Sequence, residues 1–299
     1  MLNDLFSKSE VPSLCLRDVE RTEAFRAAIN KVVKPGDVVL DAGAGSGILS
    51  FFAAAAGARK VYSVEYDPGL AETLRRNAAL NGFAEVIEVI AGDVRELRLP
   101  VQVDVLIAEM IETWLLDELQ VPALNALRAN RVIGSKTKMI PERYEAFATF
   151  GQVEFSCYGF QVPFPLHDWP WVKGGSGWQQ LPFHPQTEPV KAFELWFNRY
   201  NDPAFKTKLR ADSLAAGTVN AIQLSGVAHL THDLTLGPTN AFNGDKIIPI
   251  EPFIVQSGEA ISLSLSGHWG GGWPVWRCLV SQQRGGAVGQ ANAQPKQEN

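Results

Sequence analysis

The sequence predicts an α/β fold in which a Rossmann-like parallel-sheet domain is followed by a β-barrel-like domain. From about residue 16 to 140, short apolar runs alternate with helix-like stretches, the pattern of a parallel sheet covered by helices. After residue 140 the helical texture gives way to short strand-like runs punctuated by Gly and Pro, with seven of the eight tryptophans, as in antiparallel sandwiches and barrels. The 299 residues also exceed one typical domain, so two domains are expected.

An apolar run that begins at Val38 breaks into a glycine loop before a helix-like stretch. The loop glycines are Gly43, Gly45 and Gly47. Glycines allow a sharp turn there and let a ligand approach the backbone. A second apolar run ends at Glu65, about 20 residues further on, where an acidic side chain can accept the hydroxyls of a ribose.

The loop differs from the dinucleotide pattern, which would carry a further glycine where this chain has Ile48. A pyrophosphate ligand is therefore disfavoured, whereas a ribose clamp without a pyrophosphate nest suits an adenosyl sulfonium. The predicted cofactor is S-adenosylmethionine. The alternative is an ordinary strand-to-helix turn followed by a chance acid.

The next elements continue the α/β alternation. Asp67 and Pro68 predict a helix start, as cap and first helical residue, and Gly82 predicts its end. The runs at 86–90 and 103–108 read as the next two strands.

The second half of the chain shows strand periodicity. Residues 260–266 alternate strictly, with Ile261, Leu263 and Leu265 on one face. Comparable runs occur at 142–150, 192–197, 219–230, 247–255 and 275–280. The predicted domains are 1–140 and 141–283, with an irregular insertion at 157–189 and a polar tail at 284–299 that we expect to be disordered.

Acidic residues mark the end of the strand at 103–108. Glu109 ends it and Glu118 follows nine residues later. Ligands of open parallel sheets lie beyond the carboxyl ends of the strands, and two facing carboxylates would suit a guanidinium between them. Two alternatives stay open: Glu112 could be the partner of Glu109, or Asp117 and Glu118 could merely be acids at a helix N-terminus.

Composition excludes several function classes. The net charge is −5 and the 27 basic residues are scattered, which argues against a nucleic-acid partner and favours a cationic substrate. Three isolated cysteines and no histidine cluster predict a reduced, cytoplasmic protein without a metal site. No apolar run is long enough to span a membrane, and no secretion signal is evident.

Taken together, these motifs resemble the protein arginine methyltransferase family, from about residue 16 to 150 and faintly to about 280. The resemblance rests on residues 16–26, the glycine loop, the Glu109 and Glu118 pair, and residues 139–144. It implies a cofactor domain, a β-barrel and a groove between them, with the guanidinium held by the two glutamates. The cofactor residues it implies are Arg21, Asp41, Gly43, Gly45, Gly47, Glu65, Asp93 and Val94.

The chain also departs from that family. Residues 4–15 lack the two-tyrosine motif, 240–243 lack the histidine of the Thr-His-Trp loop, and 157–189 show no helical period for a dimerisation arm. A homodimer is plausible, and free arginine or a small guanidino compound competes with protein as substrate. Two further alternatives are a methyltransferase acting on another amine or metabolite, and a catalytically silent cofactor-binding scaffold. His268 could be a substitute base, although a hairpin with an aromatic anchor is favoured.

Overall fold

The computed structural model describes residues 10–175, 177–272, 277–284 and 287–293. The first part of the chain forms a five-stranded parallel sheet in the order β3-β2-β1-β4-β5. Its strands are β1 (Val38–Ala42), β2 (Lys60–Glu65), β3 (Ile87–Ala91), β4 (Val105–Ala108) and β5 (Lys138–Ile140). The central strand β1 is buried at all five positions, as expected of a parallel strand covered on both faces. The predicted Rossmann-like domain is confirmed.

Helices alternate with these strands. They are α1 (Glu10–Arg17), α2 (Val19–Val32), α3 (Ile48–Ala55), α4 (Pro68–Leu80) and α5 (Gln120–Ala129), with 3-10 turns at Val94–Glu96 and Thr113–Leu115. The predicted start of α4 is confirmed, because the Asp67 carboxylate accepts the backbone N–H of Leu70 at 2.9 Å. The helix ends just before Gly82, whose φ of 75° is the left-handed conformation that favours glycine.

The strand order determines where a ligand can bind. Because β1 lies between β2 and β4, the connections that leave β1 and β4 diverge and open a crevice beyond the carboxyl ends of these strands. The glycine loop follows β1 and Glu109 follows β4. Both therefore lie at the same edge of the sheet.

Antiparallel strands make up most of the remaining described chain. A seven-stranded sheet follows the path β10-β6-β13-β15-β9, with β11 paired to β6 and β14 to β13, and a four-stranded sheet has the order β12-β16-β17-β18. The longer strands are β6 (Arg143–Val153), β11 (Val190–Trp196), β12 (Ala204–Asp212), β13 (Gly217–Thr231), β15 (Asp245–Val255), β16 (Ala260–His268), β17 (Arg277–Arg284) and β18 (Ala287–Ala293). This arrangement agrees with the predicted barrel-like domain.

The segment at 157–189 is irregular, as expected. It holds only short strands and one helix of five residues. These elements are β7 (Ser156–Cys157), β8 (Phe160–Gln161), β9 (Leu166–Asp168), α6 (Pro170–Gly174) and β10 (Phe183–Pro185), and β14 (Leu234–Leu236) is a short strand further on.

The expectation of a disordered tail from residue 284 is wrong for its described part. Ala287–Ala293 forms β18, which pairs antiparallel with β17 from Arg284↔Ala287 to Cys278↔Ala293. The Gly- and Gln-rich composition obscured this strand because its backbone hydrogen bonds come from a neighbouring strand, which needs no apolar side chains.

The two domains share one buried apolar cluster. It includes Leu40 of β1, Trp114 of the loop after β4, and Leu224 of β13. Phe25 of α2 also meets Phe242 edge to face, with ring centroids 6.1 Å apart. Among the described residues, no helix combines the length and the apolar character that crossing a bilayer requires.

We predict that Gly47→Ala destabilises the fold more than Gly82→Ala. Both glycines have positive φ, 82° and 75°, so each alanine carries a backbone cost of about 1–2 kcal/mol. At Gly47 the new Cβ would also lie 2.7 Å from Leu74 Cγ, whereas at Gly82 nothing lies within 4 Å. Urea unfolding should show a further loss of about 1–3 kcal/mol for Gly47→Ala. Equal losses would contradict this account of Gly47.

Candidate active site

A cavity of about 160 Å³ lies at the carboxyl edge of the parallel sheet. The loops after β1, β2, β3 and β4 line it, together with α1, Arg21 of α2 and residues 117–119. Eight of the ten predicted site residues line this cavity: Arg21, Gly43, Gly45, Glu65, Asp93, Val94, Glu109 and Glu118. The two exceptions are Asp41 and Gly47.

Glu65 is held rigidly against the glycine loop. Its Oε2 accepts the N–H of Gly45 at 2.8 Å, and its Oε1 accepts the N–H of Asp67 at 2.9 Å. Burial raises the pKa of this carboxyl above its usual range, while the two backbone hydrogen bonds oppose the shift. Each carboxylate oxygen has a second acceptor position, so Glu65 can also accept hydroxyl groups from a ligand in the cavity.

Asp41 and Gly47 support the loop from beneath. The Asp41 Oδ2 accepts the hydroxyl of Ser50 at 2.6 Å, and this hydroxyl lies 2.6 Å from that of Ser63. Burial raises the pKa of Asp41 to about 6. Gly47 begins α3 in a left-handed conformation against Leu74. Direct cofactor contact by these two residues stays a prediction, and the contacts in the structure are those of a scaffold.

Asp93 and Val94 form the wall after β3. The Asp93 side chain accepts the N–H of Arg95 at 2.9 Å and so caps the short 3-10 turn. The Arg95 guanidinium also donates to both carboxylate oxygens, with Nε at 3.0 Å from each and Nη2 at 2.5 Å from Oδ2. The hydrogen bonds from Arg95 hold the pKa of Asp93 below its usual value. Asp93 is therefore a fixed, ionised acceptor.

Arg21 and Glu109 form a buried ion pair across the cavity floor. The Arg21 Nη2 donates to Glu109 Oε2, and Nη1 donates to the Cys15 carbonyl at 3.4 Å. Arg21 is only 4% exposed, and its Nε has no partner among the described residues. A buried guanidinium with an unused donor is suited to an anionic ligand group.

Glu118 lines the same cavity as Glu109. Burial raises the pKa of Glu118 well above its usual value, and the negative charges of Glu109 and Glu112 raise it further. Among the described residues, Glu118 forms no ion pair, whereas Glu109 has Arg21. A bound cation would relieve the repulsion between the two carboxylates.

The loop that carries Glu118 is attached to both domains. Gln120 spans its base, accepting the N–H of Met110 at 3.2 Å and donating to the Ala108 carbonyl at 2.9 Å. Trp114 is fully buried, and its indole N–H lies 2.9 Å and 3.0 Å from the carbonyls of Phe147 and Ser225 in β6 and β13. Its φ of 64° is unusual for a large side chain, so these contacts stabilise a conformation that would otherwise be disfavoured.

A glycine turn of the barrel also binds this loop. Gly270 and Gly272 donate their N–H groups to the carbonyls of Leu115 and Leu116 at 3.1 Å and 3.0 Å. A Cβ at Gly270 would lie 3.1 Å from the carbonyl oxygen of Glu118. The close approach of the barrel to Glu118 therefore depends on a residue without a side chain.

Glu112 does not share the cavity with Glu109. Its Oε2 accepts the Lys246 ammonium at 2.6 Å, and the same ammonium lies 2.5 Å from Asp117 Oδ2. The structure thus favours Glu118, not Glu112, as the carboxylate that faces Glu109. Sequence reasoning missed Lys246, since a lysine at the start of a strand gives no signal of burial.

The barrel loop at 240–243 docks on α2 without a histidine. Asp18, the cap of α2, accepts the Thr239 hydroxyl at 2.5 Å and the N–H of Ala241 at 2.7 Å. Asn243 is fully buried and accepts the Tyr144 hydroxyl at 2.6 Å. The contact between the domains at this point is therefore made by the Asp18 carboxylate, while Asn243 holds the loop to β6 and β13 within the barrel.

His268 is exposed at the end of β16 and is not a cavity residue, so the structure does not support its role as a base. Its neighbour Trp269 is 5% exposed and stacks on Phe205 with centroids 4.2 Å apart. The packing of Trp269 agrees with the predicted aromatic anchor, while part of the predicted hairpin lies outside the described residues.

Comparison with known proteins identifies the first domain. Residues 19–147 match the model of the TRM5/TYW2 methyltransferase domain. The chain is 40% identical over 139 residues to an uncharacterized protein of Methanocaldococcus jannaschii, covering 46% of this chain and 52% of that protein. It is 36% identical over 172 residues to the probable protein arginine N-methyltransferase 1.2 of Arabidopsis thaliana, covering 53% and 46%. The matches thus span about half the length of these curated relatives.

Solved structures match over nearly the whole chain. The Trypanosoma brucei PRMT1 enzyme-prozyme heterotetrameric complex with AdoHcy superposes with a TM-score of 0.77 at 20% identity, covering 96% of this chain and 98% of that one. Arabidopsis thaliana protein arginine methyltransferase 10 superposes with a TM-score of 0.75 at 17% identity, covering 97% of each chain. At this identity the likeness establishes the fold alone, and it confirms the predicted fold class.

The sequence matches and the fold point to the same conclusion. The methyltransferase domain coincides with the cavity domain, and the relatives that match it include several arginine N-methyltransferases. The predicted cofactor, S-adenosylmethionine, agrees with both. Over its first domain the chain is similar in sequence to protein arginine N-methyltransferases, and over nearly its whole length it has the fold of two protein arginine methyltransferase structures.

Proposed function

We propose that this protein transfers a methyl group from S-adenosylmethionine to a guanidinium nitrogen of arginine in protein, of free arginine or of a small guanidino compound. The observation that carries the proposal is the pair Glu109 and Glu118, which line one cavity with the glycine loop and Glu65. Of the two carboxylates, only Glu109 forms an ion pair within the described residues. A guanidinium acceptor would supply a cation that pairs with Glu118.

Each residue has a distinct task in this proposal. Glu65 and the glycine loop hold the ribose, Asp93 and Val94 border the adenine, and the spare donor of Arg21 binds the carboxylate of the cofactor. The cofactor supplies an electrophilic methyl group. Glu109 and Glu118 orient the planar guanidinium so that one nitrogen faces that methyl, and such alignment lowers the barrier by several kcal/mol.

The transfer is a direct displacement. The nitrogen lone pair forms a bond to the methyl carbon while the carbon–sulfur bond breaks, and S-adenosylhomocysteine leaves. The methylated nitrogen then loses one proton. Glu118 is suited to accept it, since burial and the neighbouring Glu109 charge already raise its pKa.

The acceptor could be small as well as macromolecular. The loop at 240–243 contains no histidine, and its Asn243 is fully buried and hydrogen-bonded to Tyr144 and Gly226. No histidine lines the cavity in the described chain. This observation keeps free arginine and guanidino metabolites beside protein arginine as acceptors.

We further propose a cytoplasmic homodimer that binds neither nucleic acid nor membrane. The described cysteines Cys15 and Cys157 are unpaired, which suits a reducing compartment. The segment around β8 exposes large apolar side chains, with Tyr158 91% and Phe160 71% exposed. An exposed apolar patch of this kind is typical of protein contact surfaces.

Glu65→Gln should weaken cofactor binding. The substitution removes the charge that accepts hydrogen bonds from the loop and from the ribose, and charge-assisted hydrogen bonds contribute about 1.5–3 kcal/mol. Calorimetric titration with S-adenosylhomocysteine should therefore show a Kd raised at least about tenfold. The matched control is Glu88→Gln on the edge strand β3, whose partner is the half-buried Lys60 of the neighbouring strand β2. An unchanged Kd for Glu65→Gln would contradict the ribose assignment.

Glu118→Gln should abolish most of the methyl transfer to guanidinium acceptors. Truncating one partner of a buried charge pair costs about 2–5 kcal/mol, so kcat/KM should fall by about two orders of magnitude or more while the Kd for S-adenosylhomocysteine stays within about twofold. The assay follows labelled methyl groups into peptide, free arginine, guanidino compounds and fractionated lysate. Exposed Glu85 provides the control Glu85→Gln.

A Glu118→Gln enzyme with full activity would refute the guanidinium assignment. A wild-type protein that binds the cofactor yet never releases S-adenosylhomocysteine would support the alternative of a catalytically silent scaffold.

Acceptor use should rise with pH. Burial and the Glu109 charge raise the pKa of Glu118, so below that pKa the carboxyl is neutral and attracts no guanidinium. We expect kcat/KM for the acceptor to increase as pH passes through the raised pKa and then to level. Initial rates at saturating cofactor measure this profile. Glu118→Gln should lack the increase, and a variant that retained it would show that another group titrates.

A further inference from the structure

A single buried lysine connects the barrel to the loop that carries Glu118. Lys246 lies near the start of β15 and is fully buried. Its ammonium lies 2.6 Å from Glu112 Oε2 and 2.5 Å from Asp117 Oδ2. Both carboxylates belong to the stretch between Glu109 and Glu118, and Asp117 directly precedes Glu118.

Hydrogen bonds between uncharged groups also join the barrel to this loop, at residues 113 and 114. Thr113 donates its hydroxyl to the Gly244 carbonyl, and Trp114 donates to the carbonyls of Phe147 and Ser225. Lys246 instead forms ion pairs with the loop at residues 112 and 117. Its second contact is thus one residue from Glu118.

Burial of these three charged side chains is costly, and the strand pairing of β15 does not depend on it. Burying an ammonium and two carboxylates carries a large desolvation cost, which only close pairing offsets. Glu112 is 5% exposed and its second oxygen, Oε1, has no hydrogen-bond partner among the described residues. Apolar side chains in place of all three residues would avoid this cost, so a role in the site is the better explanation of the cluster.

A histidine also lies near this cluster. The Nε2 of His167 is 3.9 Å from Glu112 Oε1. Glu112, Asp117 and His167 are close enough to share a cation, and the Lys246 ammonium already lies against the two carboxylates. Asp117 is the one member of the cluster that also lines the cavity.

We propose that Lys246 is a positioning residue for the acceptor. By binding Asp117 and Glu112 together, it holds the backbone at 117 and 118 so that the Glu118 carboxylate faces Glu109 across the cavity. This inference rests on the proposed function, because Glu118 is taken to bind the guanidinium. It adds that the barrel domain, through one charge, sets the geometry of that carboxylate.

The test compares Lys246→Met, which keeps the length of the side chain and removes its charge, with Lys191→Met. Lys191 is a half-exposed barrel lysine paired with Glu145 at 3.2 Å and outside the site. For Lys246→Met we expect kcat/KM for the acceptor to fall at least about tenfold, the Kd for S-adenosylhomocysteine to stay within about twofold, and Lys191→Met to match the wild type. Asp117→Asn should act in the same direction and replaces Lys246→Met if that variant fails to fold.

A double-mutant cycle separates positioning from a general structural effect. If Lys246 acts through Glu118, then adding Lys246→Met to Glu118→Gln should cause at most about a twofold further loss. The inference is overturned if Lys246→Met keeps wild-type kcat/KM, if its effect is equally large in the Glu118→Gln background, or if cofactor affinity falls in parallel.

Hydrogen exchange provides a readout that does not depend on activity. In the protein loaded with S-adenosylhomocysteine, Lys246→Met should speed amide exchange in peptides covering 110–119 and leave the glycine loop unchanged. If the wild type transfers no methyl group to any acceptor, the proposed function fails, and exchange alone then decides the lysine contact. Unchanged exchange at 110–119 overturns the positioning role.

Discussion

The site depends on how four neighbouring carboxylates at one edge of a sheet are neutralised. Glu109 pairs with Arg21, and Glu112 and Asp117 share Lys246. Uncompensated buried charge is strongly destabilising, so such groups are paired or protonated. Glu118 is the remaining member, and no cation pairs with it within the described chain. Burial raises the pKa of Glu118, and the negative charges of Glu109 and Glu112 raise it further.

The two domains divide the work of building this arrangement. The parallel sheet supplies the glycine loop, Glu65 and Glu109, because the carboxyl ends of its strands converge at the crevice. The barrel supplies backbone and side-chain contacts to the loop between Glu109 and Glu118, through Trp114, the turn at 270–272 and Lys246. The glycine loop, Glu65 and Glu109 thus belong to one domain, whereas the loop that carries Glu118 is held by contacts from both.

Local sequence rules identified the parts of the site whose structure is determined locally. The strand-to-glycine-loop pattern placed Gly43, Gly45 and Glu65 at one cavity, and strand ends placed Glu109 there too. The rules missed a strand that depends on pairing with its neighbour, since the polar tail contributes β18 through backbone hydrogen bonds to β17. Asp41 accepts a hydrogen bond from Ser50 and Gly47 lies against Leu74, and their contact with the cofactor stays a prediction.

By itself the sequence determined the domain order, the cofactor loop and the acidic residues at the strand ends, because periodicity, glycine geometry and strand termini are properties of neighbouring residues. Only the tertiary structure decided which glutamate shares the cavity with Glu109. That choice depends on Lys246, which is 128 or more residues away along the chain and pairs with Glu112 and Asp117. Sequence spacing does not predict which distant lysine or arginine will be buried beside which acidic residue, because burial depends on how the whole chain packs.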